Sequence, residues 1–372
     1  MTLTEFNYTF KKFIKFSIIV LILYFVGKAG VIYTIKKLTP VPPPPPPQIG
    51  FGKIKPIKLY SLPLSKNAAP EYLLDTKTGK LPEFNDRIEL YKTKPPLATI
   101  LSEKRTRDIA IKLGFTSNPV QVSTTEFVWE NSNERMKMTA NTVLNNYKLT
   151  FDLIRPPSSV SSRKALAEKK AQDAALKFLD FIGLSHPDLV NAKKRVSYLI
   201  LENGIYRTAQ ENESAHFSRV DFVRSIGKKE DIKIFNSQPN FSLISVYVTN
   251  NGKENVIPQF EYTYWDYDTE KGSTYPLLDV NSAWSNVISG NGILASLIEE
   301  GKNEYSSYTP PEISRLEIRD VELIYIEIPN YFEVLQPFYI FTGISKDIYN
   351  LQGNFIIYYP ALSADQILLD TN

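Results

Sequence analysis

Residues 321–328, Val-Glu-Leu-Ile-Tyr-Ile-Glu-Ile, give the clearest indication of the fold. Side chains alternate in character along this stretch, as they do along 313–318, and a period of two places successive side chains on opposite faces of a strand. Two aromatic-rich runs of strand length follow at 338–341 (Phe-Tyr-Ile-Phe) and 355–359 (Phe-Ile-Ile-Tyr-Tyr). Because aromatic and β-branched residues favour half-buried sheet surfaces, the C-terminal third is predicted to be an antiparallel sheet.

Working towards the N-terminus, three segments have helical periodicity. Residues 97–113 and 164–182 place their apolar side chains largely on one face. They are followed by Gly114 and Gly183, which favour a helix C-terminus. A weaker third helix is predicted over 281–300. Since strands follow each helix, the pattern predicts an α+β fold made of repeated helix-plus-antiparallel-sheet modules.

Two asparagine-containing turns predict hairpins within this sheet-rich region. Asn145-Asn146 separates the strand-like stretches 135–142 and 147–153, and asparagine is a favoured turn residue. Asn250-Asn251-Gly252 follows the strand predicted at 244–248, and Asn-Gly is a strong hairpin signal.

The N-terminal residues are predicted to anchor the chain in a membrane. A short lysine-containing tail, 1–12, precedes an apolar span at 13–35, which is long enough for a hydrocarbon core of about 30 Å. A cleaved signal peptide is the alternative, because 16–26 has the length of its apolar core and Gly27-Lys28-Ala29 suits a cleavage site. The apolar pattern resumes at Val31, which favours an uncleaved, single-pass signal anchor with a cytoplasmic tail.

A proline-rich segment follows the predicted anchor. Residues 36–70 contain an unbroken proline run at 42–47, which predicts an extended spacer of polyproline II type. Composition shifts then divide the rest of the chain into three predicted α+β modules, over 71–155, 156–276 and 277–372. These modules are predicted to be extracytoplasmic.

Composition excludes several classes of chemistry. The 372 residues contain no cysteine and two histidines, with a net charge of +3. Disulfides, thiolate metal sites and cysteine nucleophiles are therefore excluded, and no basic patch indicates nucleic-acid binding. His186 and His216 lack the spacing of metal ligands. Asp266, Asp268 and Glu270 alternate along one face without the donor pattern of a calcium loop. We predict no enzymatic activity, no catalytic residue, no metal and no cofactor.

The densest aromatic stretch is 262–267, Tyr-Thr-Tyr-Trp-Asp-Tyr. In a strand, Tyr262 and Tyr264 would share one face, while Trp265 and Tyr267 would share the other. If one face belongs to the core, the other exposes aromatic rings that suit a sugar or a peptide. These four aromatic residues are the candidate binding surface, and cross-strand packing is the alternative.

Four blocks in the C-terminal third carry a family resemblance. They are Tyr275-Pro276 to Trp284, Val321 to Tyr325, Leu335 to Phe341, and Phe355 to Leu362. This order resembles PepSY-like repeats and the extracytoplasmic regulators of the YycH and YycI type over 275–362. In those families a helix follows a Tyr-Pro strand end, and the later strands carry an aliphatic-Tyr pair and a Leu-x-Pro-x-aromatic motif.

The resemblance implies a non-enzymatic module that binds a protein or a peptide. Regulators of this type restrain a membrane sensor kinase in Gram-positive bacteria. The predicted function is thus that of a bacterial cell-envelope protein, anchored in the lipid bilayer through residues 13–35. Its predicted partner is another envelope protein or a peptide, with regulation of a sensor kinase or a protease as one role. A glycan-binding or structural envelope component is the alternative, and the sequence does not indicate an oligomeric state.

Overall fold

A computed structural model describes residues 14, 16–18, 20–28, 30, 46–97, 99–160, 163–227 and 231–368. The chain divides into two compact units, Met1–Pro46 and Pro47–Asn372. The described residues of the first unit between positions 14 and 30 are helical.

The predicted membrane span is not supported by the structure. Taking only the residues that the structure describes, we find that no helix combines the length and the apolar character needed to cross a bilayer. The prediction of a single-pass signal anchor is corrected accordingly. Within the predicted span, positions 13, 15, 19, 29 and 31–35 lie outside the described residues, as do the tail 1–12 and positions 36–45 of the spacer.

The second unit is built mainly of strands. In chain order its strands are β1 Glu71–Leu74, β2 Arg87–Lys92, β3 Val120–Gln121, β4 Glu126–Asn131, β5 Met136–Asn141, β6 Asn146–Phe151, β7 Lys193–Glu202, β8 Ile205–Thr208, β9 Phe217–Val223, β10 Ser225–Ile226, β11 Ile232–Asn236, β12 Ile244–Asn250, β13 Asn255–Tyr262, β14 Ser273–Pro276, β15 Ile293–Glu299, β16 Ile313–Glu327, β17 Val334–Asp347 and β18 Gln352–Pro360. Its helices are α1 Ile100–Lys112, α2 Glu168–Ile182, α3 Pro187–Asn191 and α4 Val280–Asn286, which continues as a π-helical turn over Val287–Asn291. Short 3₁₀ turns lie at Ser158–Val160 and Ala364–Gln366.

Sheet I is organised around the long hairpin of β16 and β17. Its main path is β10-β11-β16-β17-β18-β15, while β1 pairs with β16 and β2 pairs with both β17 and β14. Residues 321–327 of the alternating stretch that predicted a strand lie at the end of β16, and 321–326 pair with β17. Both β1 and β11 run parallel to β16, so they reach it from distant parts of the chain.

Sheet II has the order β3-β4-β5-β6-β13-β12-β9-β7-β8 and is antiparallel throughout. The two predicted hairpins are confirmed: Asn145, with a φ of 51°, joins β5 to β6, and Gly252, with a φ of 92°, lies between β12 and β13. Helices α1 and α2 pack on one face of this sheet, where Ala175 and Leu179 of α2 are fully buried.

The prediction of repeated helix-plus-sheet modules is wrong. Helices α1 and α2 confirm the predicted positions of the first two helices. The third predicted helix is wrong beyond Asn291, because Gly290 adopts a φ of 82° and residues 293–299 form β15, paired with β18. Strands from distant parts of the chain complete each sheet, so no local helix-and-strand unit repeats. The module boundaries at residues 71, 156 and 277 stay predictions.

Part of the predicted spacer, between residues 54 and 62, contacts elements of the second unit. Ile54 is buried and forms a bridge with Ile367. Further along, the Leu62 amide donates to the carbonyl of Leu294 at 2.8 Å. Ile54 and Leu62 thus contribute a buried side chain and backbone hydrogen bonds to the folded unit.

Candidate functional site

The face of sheet II opposite α1 and α2 lines a cleft of about 770 Å³. Strand alternation creates this face, because Met138 and Leu149 point towards the helices while their neighbours Thr139 and Lys148 line the cleft. The opposite wall consists of loop residues that follow strands of sheet I. They lie in the segment 236–243, at Tyr305, and at Pro329 and Asn330.

The floor of the cleft is polar, and two of its three charged side chains pair with each other. Hydroxyl, amide and charged side chains from five strands contribute to it: Glu126, Thr139, Asn141, Asn146, Lys148, Ser245, Gln259, Glu261 and Thr263. Lys148 and Glu261 form an ion pair of 2.6 Å across β6 and β13. A ligand in the cleft therefore meets mainly neutral hydrogen-bonding groups.

Three tyrosines form a cluster at one end of the cleft. The ring of Tyr206 lies 5.4 Å from that of Tyr247 and 5.5 Å from that of Tyr305. The hydroxyls of Tyr247 and Tyr305 are 3.2 Å apart, and the Tyr206 hydroxyl donates to the Gln259 side chain at 3.2 Å. Burial raises the pKa of Tyr247 well above its ordinary value and also raises that of Tyr305. These phenols are consequently neutral and act as hydrogen-bonding groups.

Arg219 of β9 connects this cluster to the loops that form the opposite wall. Its side chain is 1% exposed. The guanidinium pairs with Asp221 at 2.9 Å, donates to the Asn240 carbonyl at 2.9 Å, and donates to the Tyr305 hydroxyl. It also lies 4.9 Å from the ring centre of Phe241. Arg219 thereby holds two wall loops against sheet II.

The aromatic residues predicted to form a binding surface are mostly buried. Strand β13 ends at Tyr262, so the two-face alternation expected through Tyr267 does not occur. Tyr262, Trp265 and Tyr267 are each less than 5% exposed, and Tyr264 is half-buried. The expectation of an exposed aromatic platform is corrected, because side chains from other elements cover both sides of the stretch.

Three of these aromatic residues surround Arg224, which follows β9. The Arg224 guanidinium lies 4.2 Å from the ring centre of Tyr264 and 5.3 Å from that of Tyr267. It also donates to the Trp265 carbonyl at 2.8 Å. We call the group comprising Asp188, Arg224, Tyr264, Tyr267 and Glu327 the arginine centre.

The arginine centre joins sheet I to sheet II. Arg224 pairs with Asp188 of α3 at 2.8 Å and with Glu327, the last residue of β16, at 3.3 Å. The Tyr267 hydroxyl donates to Glu327 at 2.9 Å. Burial raises the pKa of Glu327, while Arg224 and Tyr267 favour its charged form and oppose that shift. A carboxylate buried this deeply requires these partners.

Trp265, whose carbonyl accepts from Arg224, also contacts the chain next to one wall of the cleft. The indole of Trp265 donates to the carbonyl of Ile328 at 2.8 Å. Ile328 directly precedes Pro329 and Asn330, which line the cleft. The predicted aromatic stretch therefore supports the cleft from behind, with Tyr262 and Thr263 reaching its lining.

Sequence reasoning missed the residues that build the cleft. Tyr206, Tyr247 and Tyr305 are isolated in the sequence, and only the fold brings them together. Arg219 and Asp221 did carry a signal, because opposite charges two residues apart in a strand whose other residues are mostly apolar lie on one face. Such a pair indicates a buried ionic interaction.

The acidic stretch after the aromatic residues forms no metal site in the described chain. Asp266 pairs with Lys94 at 2.9 Å. Across the described residues, no group of three or more histidine, aspartate or glutamate side chains is arranged to hold a metal ion.

Comparisons with known proteins add little to this description. The chain matches no protein-family model, and it matches no curated protein. Among solved structures, it is similar to the crystal structure of an uncharacterized protein from Eubacterium rectale, with a TM-score of 0.40 and 11% sequence identity. The alignment covers 79% of this chain and 88% of that chain.

Proposed function

We propose that this protein binds an extended segment of another polypeptide in the cleft of sheet II. The observation that carries the proposal is the open edge beside the cleft. In the described chain, β3 pairs only with β4, and Val120 and Val122 are 66% and 63% exposed. Val122 also lines the cleft. An exposed strand edge with apolar side chains favours a polypeptide that adds as a further strand.

The chemistry of the cleft supports binding of an uncharged stretch without catalysis. Its central ion pair, Lys148 with Glu261, is internally neutralised. The tyrosines of the cluster are neutral because burial raises their pKa values, so they lack the near-neutral pKa of an efficient acid–base catalyst. Amide and hydroxyl groups on the floor match the donors and acceptors of a peptide backbone. The resemblance to PepSY-like and YycI-type regulators also favours a protein partner.

A selection from a random peptide display library on the full chain tests this proposal. We expect enriched peptides whose binding, measured by fluorescence polarisation, is about tenfold or more weaker for Val122→Lys and for Thr139→Arg, since each puts a charge into a contact of apolar or neutral groups. The matched control is Ile111→Lys, an equally exposed apolar position on α1, on the opposite side of sheet II. That control should bind with unchanged affinity.

Two outcomes would replace or remove the proposal. Saturable binding on a glycan array, abolished by Thr139→Arg and unaffected by Val122→Lys, would assign the cleft to carbohydrate. If no peptide is enriched, or if Ile111→Lys weakens binding as much as Val122→Lys does, the cleft is not the peptide site.

A further inference from the structure

A second cavity, of about 700 Å³, lies on sheet I away from the cleft. Its walls are the loop 79–86 between β1 and β2 and the segment 277–284, which leads from β14 into α4. The lining residues Leu74, Leu81, Phe84, Leu278 and Trp284 are half-buried apolar side chains. None of the residues that line this cavity also lines the cleft.

Aromatic rings form a fixed part of the cavity wall. Trp284 stacks on Phe341, with 5.9 Å between ring centres, and meets Tyr72 edge-on. Phe84 lies 5.2 Å from Tyr339, whose hydroxyl donates to the Leu278 carbonyl at 2.6 Å. These contacts hold the rings in place around the cavity before any ligand arrives.

The rim of the cavity has an excess of negative charge. It contains the exposed carboxylates Glu83, Asp86 and Asp279. Asp86 is neutralised by Arg87 at 2.7 Å, and Asp279 accepts two backbone hydrogen bonds at the start of α4. Glu83 forms no hydrogen bond or ion pair with another described residue. Lys80 is the positively charged residue among those that line the cavity.

We propose that this cavity binds a small organic cation, an ammonium group carried on an apolar body. Aromatic faces attract ammonium groups, and quaternary ammonium ligands are held in this way by aromatic cages. The volume lies within the range of small-molecule sites, and leucine and aromatic side chains share the lining with polar ones. The carboxylates at the rim supply the complementary charge, and the leucines supply the contact for the apolar body.

The fluorescence of Trp284 can report the binding of a ligand in this cavity. Trp129 and Trp265 are 2% exposed, whereas Trp284 is half-buried and lines the cavity. Titration of the full chain with choline should change the tryptophan fluorescence saturably, and benzyltrimethylammonium should bind more tightly because it has a larger apolar body. The neutral choline isostere 3,3-dimethyl-1-butanol should bind about tenfold or more weakly, since it lacks the cation–π and rim interactions.

Two variants and a control separate this site from a non-specific effect. Calorimetry should show about threefold weaker choline binding for Glu83→Gln, as expected of one exposed charge, and about tenfold weaker binding for Trp284→Leu. Glu270→Gln removes an exposed carboxylate elsewhere and should leave binding unchanged. Equal binding of the neutral isostere, unchanged binding by Trp284→Leu in a folded variant, or no saturable binding of either cation would overturn the proposal.

Discussion

Two buried arginines in the same part of the chain perform different tasks. Arg219 lies within β9 and is 1% exposed, while Arg224 follows that strand and is 5% exposed. Each donates to a backbone carbonyl and lies over aromatic rings. They differ in the origin of their most deeply buried acidic partner, although Arg219 also pairs with Glu304 of the loop after β15 at 3.4 Å and Arg224 also pairs with Asp188 of α3. Asp221 lies on the same strand as Arg219, whereas Glu327 reaches Arg224 from the end of β16 in sheet I.

This difference indicates which arginine holds the fold and which shapes the site. Burying an ion pair costs desolvation energy, so such a pair stabilises little compared with apolar packing. Removing one partner is costly, because it leaves the other charge buried and unpaired. Loss of Arg224 would leave Glu327 buried between the sheets without a cation. Loss of Arg219 leaves Asp221 with a second arginine, Arg195, at 3.5 Å.

The largest expected effect is that of Arg224→Leu. We expect a loss of about 3–5 kcal/mol in the free energy of unfolding, because Glu327 would remain buried without its cation. Urea denaturation monitored by circular dichroism measures this loss. The surface variant Lys169→Leu, which breaks a solvent-exposed pair with Asp173, is the control and should cost less than about 1 kcal/mol.

The double variant Arg224→Leu/Glu327→Leu tests whether the unpaired charge of Glu327 causes this loss of stability. Replacing both charges by apolar groups should recover most of the lost stability, because the carboxylate that remains, Asp188, is 36% exposed and can be solvated. If the double variant is less stable than Arg224→Leu alone, the cost comes from lost packing and hydrogen bonds, and the charge argument fails.

Arg219→Leu should be the next most costly substitution. We expect a loss of about 2–3 kcal/mol, less than for a broken buried pair without a second partner, because Asp221 keeps Arg195 as a partner. The wall loops at Asn240 and Tyr305 would also lose their tie to sheet II. Peptide affinity should therefore fall more for Arg219→Leu than for Arg224→Leu, when both are measured on the folded fraction. The reverse order would contradict the division of roles.

Tyr305→Phe isolates the contribution of a single hydroxyl. Its hydroxyl accepts from Arg219 and bonds to Tyr247, so removal should cost about 1 kcal/mol in urea denaturation, the value of a typical buried hydrogen bond. Tyr349→Phe is the matched control on an exposed hairpin tip and should be neutral. Equal effects of the two variants would show that the hydroxyl of Tyr305 does not hold the wall.

The parts of the fold that follow local rules could be predicted from the sequence. The apolar face of α2 and the turn at Gly252 arise from neighbouring residues, so periodicity and turn chemistry located them. Residues 293–299 were predicted as helix, because the pairing of β15 with β18 that makes them a strand depends on residues more than fifty positions away. The parallel pairing of β1 with β16 is likewise not visible in any local pattern.

The distinction between local patterns and contacts from distant residues also explains why the predicted binding surface differs from the cleft. Aromatic density predicted a binding surface at the stretch that contains Trp265 and Tyr267, and both rings are buried. Whether those rings are exposed depends on Arg224 and Glu327, which arrive from another strand and another sheet. The tyrosine cluster of the cleft unites residues from β8, β12 and the loop after β15, and their separation in sequence hid them.

The smallest expected effect is a pH dependence of stability that arises from His186, next to the arginine centre. His186 stacks on Tyr264 at 3.9 Å, and burial lowers the pKa of this histidine below its ordinary value of 6.5. Asp188 and Asp266 oppose the shift, while Arg224 adds to it. The unfolded chain thus binds the proton more readily than the folded chain does. Stability is then full above about pH 6.5 and decreases as the pH falls below that value.

Substitution of His186 isolates this contribution from other titrating groups. His216, whose pKa is also lowered by burial, acts in the same direction, and Glu327, whose pKa is raised, acts in the opposite direction. We therefore compare urea midpoints at about pH 7.5 and about pH 5.5, on either side of the ordinary histidine pKa. His186→Gln should show a smaller decrease in midpoint between these values than the unmodified protein. An unchanged or larger decrease would mean that His186 is not held neutral against Tyr264. The loss of stability at low pH would then come from other titrating groups.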